Sequence, residues 1–95
     1  MSNFEWDQAK NFANQRKHNI CFQEASAIFD GPVLSNEDNS DPDEPRMRSY
    51  GLIGAVVVLC VIHTDRDGVI RIISARKATS YERNLFNAYL KKASR

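Results

Sequence analysis

The period of the apolar positions changes along the chain, and that period predicts the element type. Ala9, Phe12, Ala13 and Arg16 recur at helical spacing, so a first helix is expected to run to His18. Asp7 is placed to accept hydrogen bonds from the free amides of its first turn, and Asn19 tolerates the left-handed conformation of a C-terminal cap. Phe22, Ala25, Ile28 and Phe29 share one stripe and predict a second helix over 22–29, broken by Asp30-Gly31-Pro32. Before these helices, residues Asn3 to Trp6 suit a short edge strand or an extended lead-in. After them, Val33-Leu34 suits a short strand. Arg46 to Leu52 alternates, with Met47, Ser49 and Gly51 on one side and Arg46, Arg48 and Tyr50 on the other.

The stretch 56–77, VVVLCVIHTDRDGVIRIISARK, holds both the longest apolar run and the densest basic spacing. β-Branched residues flank Asp65-Arg66-Asp67-Gly68, and Asp-Gly between two such runs signals a hairpin because glycine accepts positive φ. With Asp67-Gly68 at the turn, Arg66 pairs with Val69. One face then collects Val57, Leu59, Val61, His63, Ile70, Ile72, Ser74 and Arg76. The other carries Val56, Val58, Cys60, Ile62, Thr64, Arg71, Ile73 and Ala75. A slip of one residue would exchange these partners. Both faces are largely apolar and need cover. Thr79 and Glu82 form a T-x-x-E capping box, and Tyr81, Leu85, Ala88 and Tyr89 follow as an amphipathic stripe, closed by Lys91, Lys92 and Arg95. The expected fold class is α+β: two N-terminal helices, an antiparallel sheet of three to four strands, and a C-terminal helix.

Composition narrows this picture. The 95 residues suffice for one domain, and no run approaches the roughly 20 apolar residues of a membrane span. A soluble protein with no membrane partner is expected. The N-terminus MSNFEWDQAK lacks the basic and apolar regions of a secretory signal. Cys21 and Cys60 have no metal-type spacing, which fits packed thiols in a reducing cytoplasm. Residues 35–45, SNEDNSDPDEP, contain five acids and nothing apolar, and predict an exposed acidic loop. It reads either as a solvated connector or as an acidic flap over the basic half. Residues 1–45 carry three Lys/Arg against nine Asp/Glu, whereas residues 46–95 carry ten against three. The chain is polarised, so a locally basic surface coexists with a net charge of +1.

No nucleotide loop, zinc spacing, nucleophile elbow or EF-hand loop is present, so no cofactor or metal is expected. The candidate chemistry lies in cations and aromatics on or beside the sheet. Arg71, in the middle of an apolar strand, must pair with an acid such as Glu24 or Glu5, or face an opening where phosphate binds. Arg76 and Lys77 stand near the start of the last helix, where its amides help bind an anion. Histidine is the side chain suited by type to proton transfer near neutral pH, so His18 and His63 are candidates for that role as well as for packing. Lys17-His18 also closes the first helix, where cations favour the dipole. Trp6, Phe12, Phe22 and Phe29 read as core, and Tyr50 is the aromatic best placed beside arginines.

Trp6-Asp7, Lys10, Asn14, Lys17-His18, Phe22, Glu24-Ala25, Phe29-Asp30 and Pro32, then Arg46 before Gly51, then Arg71-Ile72-Ile73-Ser74-Ala75-Arg76, Ala78-Thr79 and Glu82-Arg83, closely resemble the BrnT family of bacterial toxins. The resemblance spans nearly the whole chain. It implies a RelE-like ribonuclease fold, RNA cleavage that arrests translation, and neutralisation by BrnA, an antitoxin with a ribbon-helix-helix DNA-binding part. It also implies that the toxin-antitoxin complex binds its own operator DNA. Three positions depart from the family pattern: Phe86 stands where a tyrosine is usual, Cys21 where Ser or Thr caps the second helix, and Asn19 where glycine is usual.

Cutting RNA without a metal needs a base for the 2′-hydroxyl proton, cations for the charged phosphorane, and an acid for the leaving oxygen. On the resemblance, Arg71 and Arg76 are expected to hold the scissile phosphate, with Lys17, His18 or His63 moving protons. Arg46, Arg48, Tyr50 and Lys77 are expected to position RNA. The competing readings are a catalytically degenerate toxin that still binds its antitoxin, and an RNA-binding module that does not cut.

Overall fold

A computed structural model describes residues 3–54 and 56–94. The elements run β1 (Asn3–Trp6), α1 (Gln8–His18), α2 (Phe22–Ser26), a 3₁₀ turn (Ala27–Asp30), β2 (Leu34–Asp38), β3 (Arg46–Ile53), β4 (Val57–Arg66), β5 (Val69–Lys77) and α3 (Ser80–Ala93). Five strands form one sheet in the order β1-β5-β4-β3-β2. The fold is α+β, as expected. The sheet is nevertheless mixed and five-stranded, not an antiparallel one of three to four strands, because β1 pairs in parallel with β5 from Asn3↔Val69 to Trp6↔Ile72. The expected second helix is also shorter: it tightens into the 3₁₀ turn after Ser26.

Helix boundaries follow their caps. Asp7 accepts from the Lys10 amide at 3.1 Å, and Asn19 sits at φ 58° in the left-handed region. Cys21 serves as an N-cap despite being a thiol: Sγ accepts from the Glu24 amide at 3.4 Å and the Glu24 carboxylate returns to the Cys21 amide. Thr79 and Glu82 close the second box at 3.2 and 2.8 Å. Arg95 and Ala55 lie outside the described residues.

The hairpin turns at Asp67-Gly68, with Arg66 paired to Val69 as expected. An irregularity between Ile62 and His63 then changes the rest of the register. His63 pairs with Ile72 but Ile62 pairs with Ser74, leaving Ile73 without a partner. This is a β-bulge, and one extra residue moves every later side chain to the opposite face. Ala75 therefore joins Leu59, Val61 and Ile72 in the core beneath α2, while Arg76 faces outward beside Cys60. The uniform alternation expected over 69–77 is thus corrected from Ser74 onward.

Each sheet face has its own core. Ile20, Phe22, Ala25 and Ile28 cover Leu59, Val61, Ile72 and Ala75 on one face. On the other, α3 sets Phe86 against Tyr50, Val58, Cys60 and Ala78. Full burial of one such large apolar side chain is worth about 1.5–3 kcal/mol. Gly51 permits the closest approach on the first face, since a Cβ there would lie 2.7 Å from Ile28 Cβ.

Two helical stripes are rotated from their expected positions. Ala9, Phe12, Ala13 and Arg16 are exposed, Phe12 by 58%. The inward face of α1 carries amides instead. Asn11 accepts from the Phe22 amide at 2.8 Å, and Asn14 bonds both the amide and the carbonyl of Ala75, at 3.1 and 2.9 Å. Asn14 thereby takes over where β1 ends, satisfying a backbone edge that would otherwise lie buried and unpaired. In α3 the buried residues are Glu82 and Phe86, whereas Tyr81 is 72% exposed. The expected acidic loop also begins late: 35–38 belong to β2, and Asp38 is buried.

Candidate functional site

The bulge in β5 assembles the site. On the sheet face that α3 covers only in part, alternation places Arg46, Arg48 and Tyr50 of β3 beside Cys60, Ile62 and Thr64 of β4 and Arg71, Ser74 and Arg76 of β5. Without the extra residue, Arg76 would face α2. Arg71, Arg76, Arg46, Arg48 and Tyr50 therefore share one face, as a phosphate-binding surface requires.

Their electrostatic states differ. Arg76 makes a two-pronged pair with Glu82, at 2.7 and 3.0 Å, and Glu82 also accepts from the Tyr50 hydroxyl at 3.2 Å and the Thr79 amide. The Arg76 hydrogen bond holds the Glu82 carboxyl down to about 2, against the opposing effect of burial. Tyr50 is pushed above the ordinary tyrosine range, chiefly by burial and further by Glu82, so its hydroxyl keeps its proton. Arg71 is held only loosely, 3.7 Å from Glu5, with both side chains about half exposed. Such a pair is worth roughly 0–1 kcal/mol and yields easily to a better anion.

At the hairpin joining β2 to β3, Arg48 meets Asp38 at 3.0 Å, and Arg46 meets Glu44 at 3.2 Å and Asp41 at 3.9 Å. Burial tends to raise Asp38, but hydrogen bonds from Ser40 and Arg48 leave it below the usual carboxylate range. Nε of Arg46 and Nε of Arg48 are buried without a hydrogen-bond partner.

Lys17 and His18 lie at the edge of this face. With Lys10 and Asn14 they line a groove of about 240 Å³ along α1 that reaches Ile73 and Ser74, next to the bulge. His63 is not among them. It is 2% exposed on the helix-covered face, with the Ser49 hydroxyl 2.7 Å from Nε2, the Asp65 carboxylate 2.6 Å from Nδ1, and the edge of its ring against Phe29. Its polar atoms are thus satisfied inside the fold. Lys77 is also separate, lining a groove with Val56, Val57 and Arg83 beyond the N-terminal end of α3. Glu82 is the residue whose part in the site sequence reasoning missed. Its capping role was legible, and the spacing Arg76-x-x-Thr79-x-x-Glu82 was the available signal, because a cap that curls back toward the strand end reaches the arginine there. Among the described residues no group of His, Cys, Asp and Glu is arranged to hold a metal ion.

A mixed sheet carrying arginines on a half-open face, closed by a capped C-terminal helix, suits a protein that handles phosphodiesters. Residues 6–82 match the family model described as the ribonuclease toxin, BrnT, of type II toxin-antitoxin systems, and the chain belongs to that family. Among solved structures it is similar to the Brucella abortus ribonuclease toxin, BrnT, determined at 1.1 Å. The TM-score is 0.64 at 21% identity, covering 84% of this chain and all of the other. A comparison with curated protein sequences gives no match.

Proposed function

We propose that this chain is the toxin of a type II toxin-antitoxin pair and cuts RNA on the arginine-bearing sheet face without a metal ion, arresting translation in the cytoplasm. The observation that carries this reading is the placement of Arg46, Arg48, Arg71 and Arg76 with Tyr50 on one sheet face, in a chain of the BrnT family. Arg71 binds the scissile phosphate, since its contact with Glu5 is the weakest restraint on any of the four. Arg76, oriented by Glu82, stabilises the charge that develops on the phosphorane. Guanidinium stays fully protonated at neutral pH, so acid-base work belongs elsewhere. Lys17 and His18 in the adjoining groove supply it, and His63 serves the fold. Arg46, Arg48 and Tyr50 position the strand. A BrnA-like ribbon-helix-helix antitoxin neutralises the toxin by covering this face, and the complex binds operator DNA through the antitoxin.

Purified protein incubated with RNA, with and without EDTA, tests the reading. The expected result is cutting that survives EDTA and is lost in Arg71→Ala, with antitoxin binding retained. Binding without cutting would make the chain an RNA-binding module. Neither binding nor cutting would make it a degenerate toxin, a reading favoured by one feature: Phe86 is fully buried and offers no hydroxyl.

A further inference from the structure

We infer that the acidic hairpin formed by Asp38 at the end of β2 and by Asp41 and Glu44 of the loop that follows is an internal competitor for RNA, occupying Arg48 and Arg46 in the free protein and yielding them to phosphate. The inference rests on the RNA-cutting reading and adds a regulatory element to the same face. Its basis is the geometry at the loop. Asp38 sits at 3.0 Å from Arg48, and Glu44 and Asp41 sit at 3.2 and 3.9 Å from Arg46. An Asp41 turn fixes the loop, with the Asp43 amide bonded to the Asp41 carboxylate at 3.0 Å and the Glu44 amide to the Asp41 carbonyl at 3.3 Å.

This occupation is incomplete. The carboxylates meet only terminal guanidinium nitrogens, while Nε of both arginines is buried and unpartnered. A guanidinium presents five donors in a fixed fork, and a phosphate with several acceptor oxygens satisfies more of them than these carboxylates do. A buried donor left unpaired is costly, so a ligand that reaches it gains more than a simple exchange of one anion for another. The loop and β3 also border an open cleft of about 430 Å³, lined by Arg46, Thr64, Asn39 and Pro45 and flanked by Glu37 and Asp65, so that Arg46 is the cation through which a strand can enter it. The loop thus sets a threshold: weak polyanions fail to displace it, and a strand already held at Arg71 succeeds.

The competition predicts a specific salt signature. Where the loop carboxylates keep Arg46, the RNA phosphate opposite it keeps its condensed counterion. Once the arginine is freed it makes one more phosphate contact, and each such contact to a single strand releases RNA-bound counterion and steepens log K against log salt by about 0.7. The test uses a 2′-O-methyl RNA oligomer, which the protein binds but cannot cut. Asp41→Asn/Glu44→Gln is compared with Asp30→Asn/Asp43→Asn, which removes the same charge from carboxylates that neither line this cleft nor make an ion pair with these arginines. The first variant is expected to bind about three- to fivefold tighter than the second, with the steeper salt slope. It should lose that advantage in an Arg46→Ala background. Equal gains in both variants would reduce the effect to net charge and overturn the proposal, as would no gain in either.

Labelling of Arg46 by phenylglyoxal, read by mass spectrometry, reports the clamp without RNA. Labelling is expected to be faster in Asp41→Asn/Glu44→Gln than in the wild type and the charge-matched control. Equal labelling overturns the clamp whatever RNA does. Faster labelling with RNA bound by none of the proteins points instead to failure of the RNA-cutting reading, and with it of the competition.

Discussion

Glu82→Gln isolates the electrostatic link between α3 and the end of β5. Glutamine keeps the size of the side chain, can still accept from the Thr79 amide, and is a normal capping-box partner. It cannot keep the charge that faces Arg76 at 2.7 Å. A carboxyl held at about 2 rather than 4.5 corresponds to about 3 kcal/mol in favour of the folded, ionised state. The Glu82 side chain is 8% exposed but Arg76 is 38% exposed, so solvent trims the loss to about 2 kcal/mol. The sign follows from linkage. A carboxyl whose pKa is lower in the folded state contributes fully above its unfolded value of 4.5, and its contribution disappears as pH falls toward about 2. Urea unfolding of wild type and variant at intervals between pH 7 and pH 2.5 measures this directly. The difference should be about 2 kcal/mol at pH 7, hold to about pH 5, and shrink below it. A difference that is absent at pH 7, or that persists undiminished at the acid end, would refute the reasoning.

Other substitutions probe the remaining features. Gly51→Ala should destabilise by about 1–3 kcal/mol in thermal unfolding, because its new methyl meets Ile28 Cβ at 2.7 Å and Val33 Cγ1 at 3.2 Å. His63→Ala should cost about 2–4 kcal/mol by removing the hydrogen bonds to Ser49 and Asp65 and opening a cavity beside Phe29, yet RNA cutting per folded molecule should be unchanged. Asn14→Ala should destabilise by about 2–3 kcal/mol, since it strands both backbone groups of Ala75, and hydrogen exchange at the Ala75 amide should accelerate. Burial pushes the Cys60 thiol up to about 11, so iodoacetamide should modify Cys21 in the native protein and reach Cys60 only on unfolding.

Much of the architecture was legible in local patterns, because caps and turns depend on near neighbours. Asp7, Asn19, Asp67-Gly68 and the Thr79–Glu82 box each satisfy or relax backbone groups within a few residues, and each stands where the sequence indicates. Residue chemistry also placed the arginines and Tyr50 on strands before any fold was known. Alternation also set Arg46, Arg48 and Tyr50 on one side of their strand and Arg71 on the face of Cys60, Ile62 and Thr64, and only the tertiary structure decided that Arg76 joins them. One unpaired residue, Ile73, reverses the alternation of β5, turning Ala75 inward to Asn14 and Arg76 outward to Glu82. No local rule dictates that bulge, since Ile73 differs little from its neighbours in polarity or strand propensity. The contacts that the bulge makes possible lie 61 residues away, in the amide pair with Asn14, and in a carboxylate on the following helix. The same holds for the inward faces of α1 and α3: their periodicity was readable, but their rotation depends on buried hydrogen bonds that exist only once the sheet has formed.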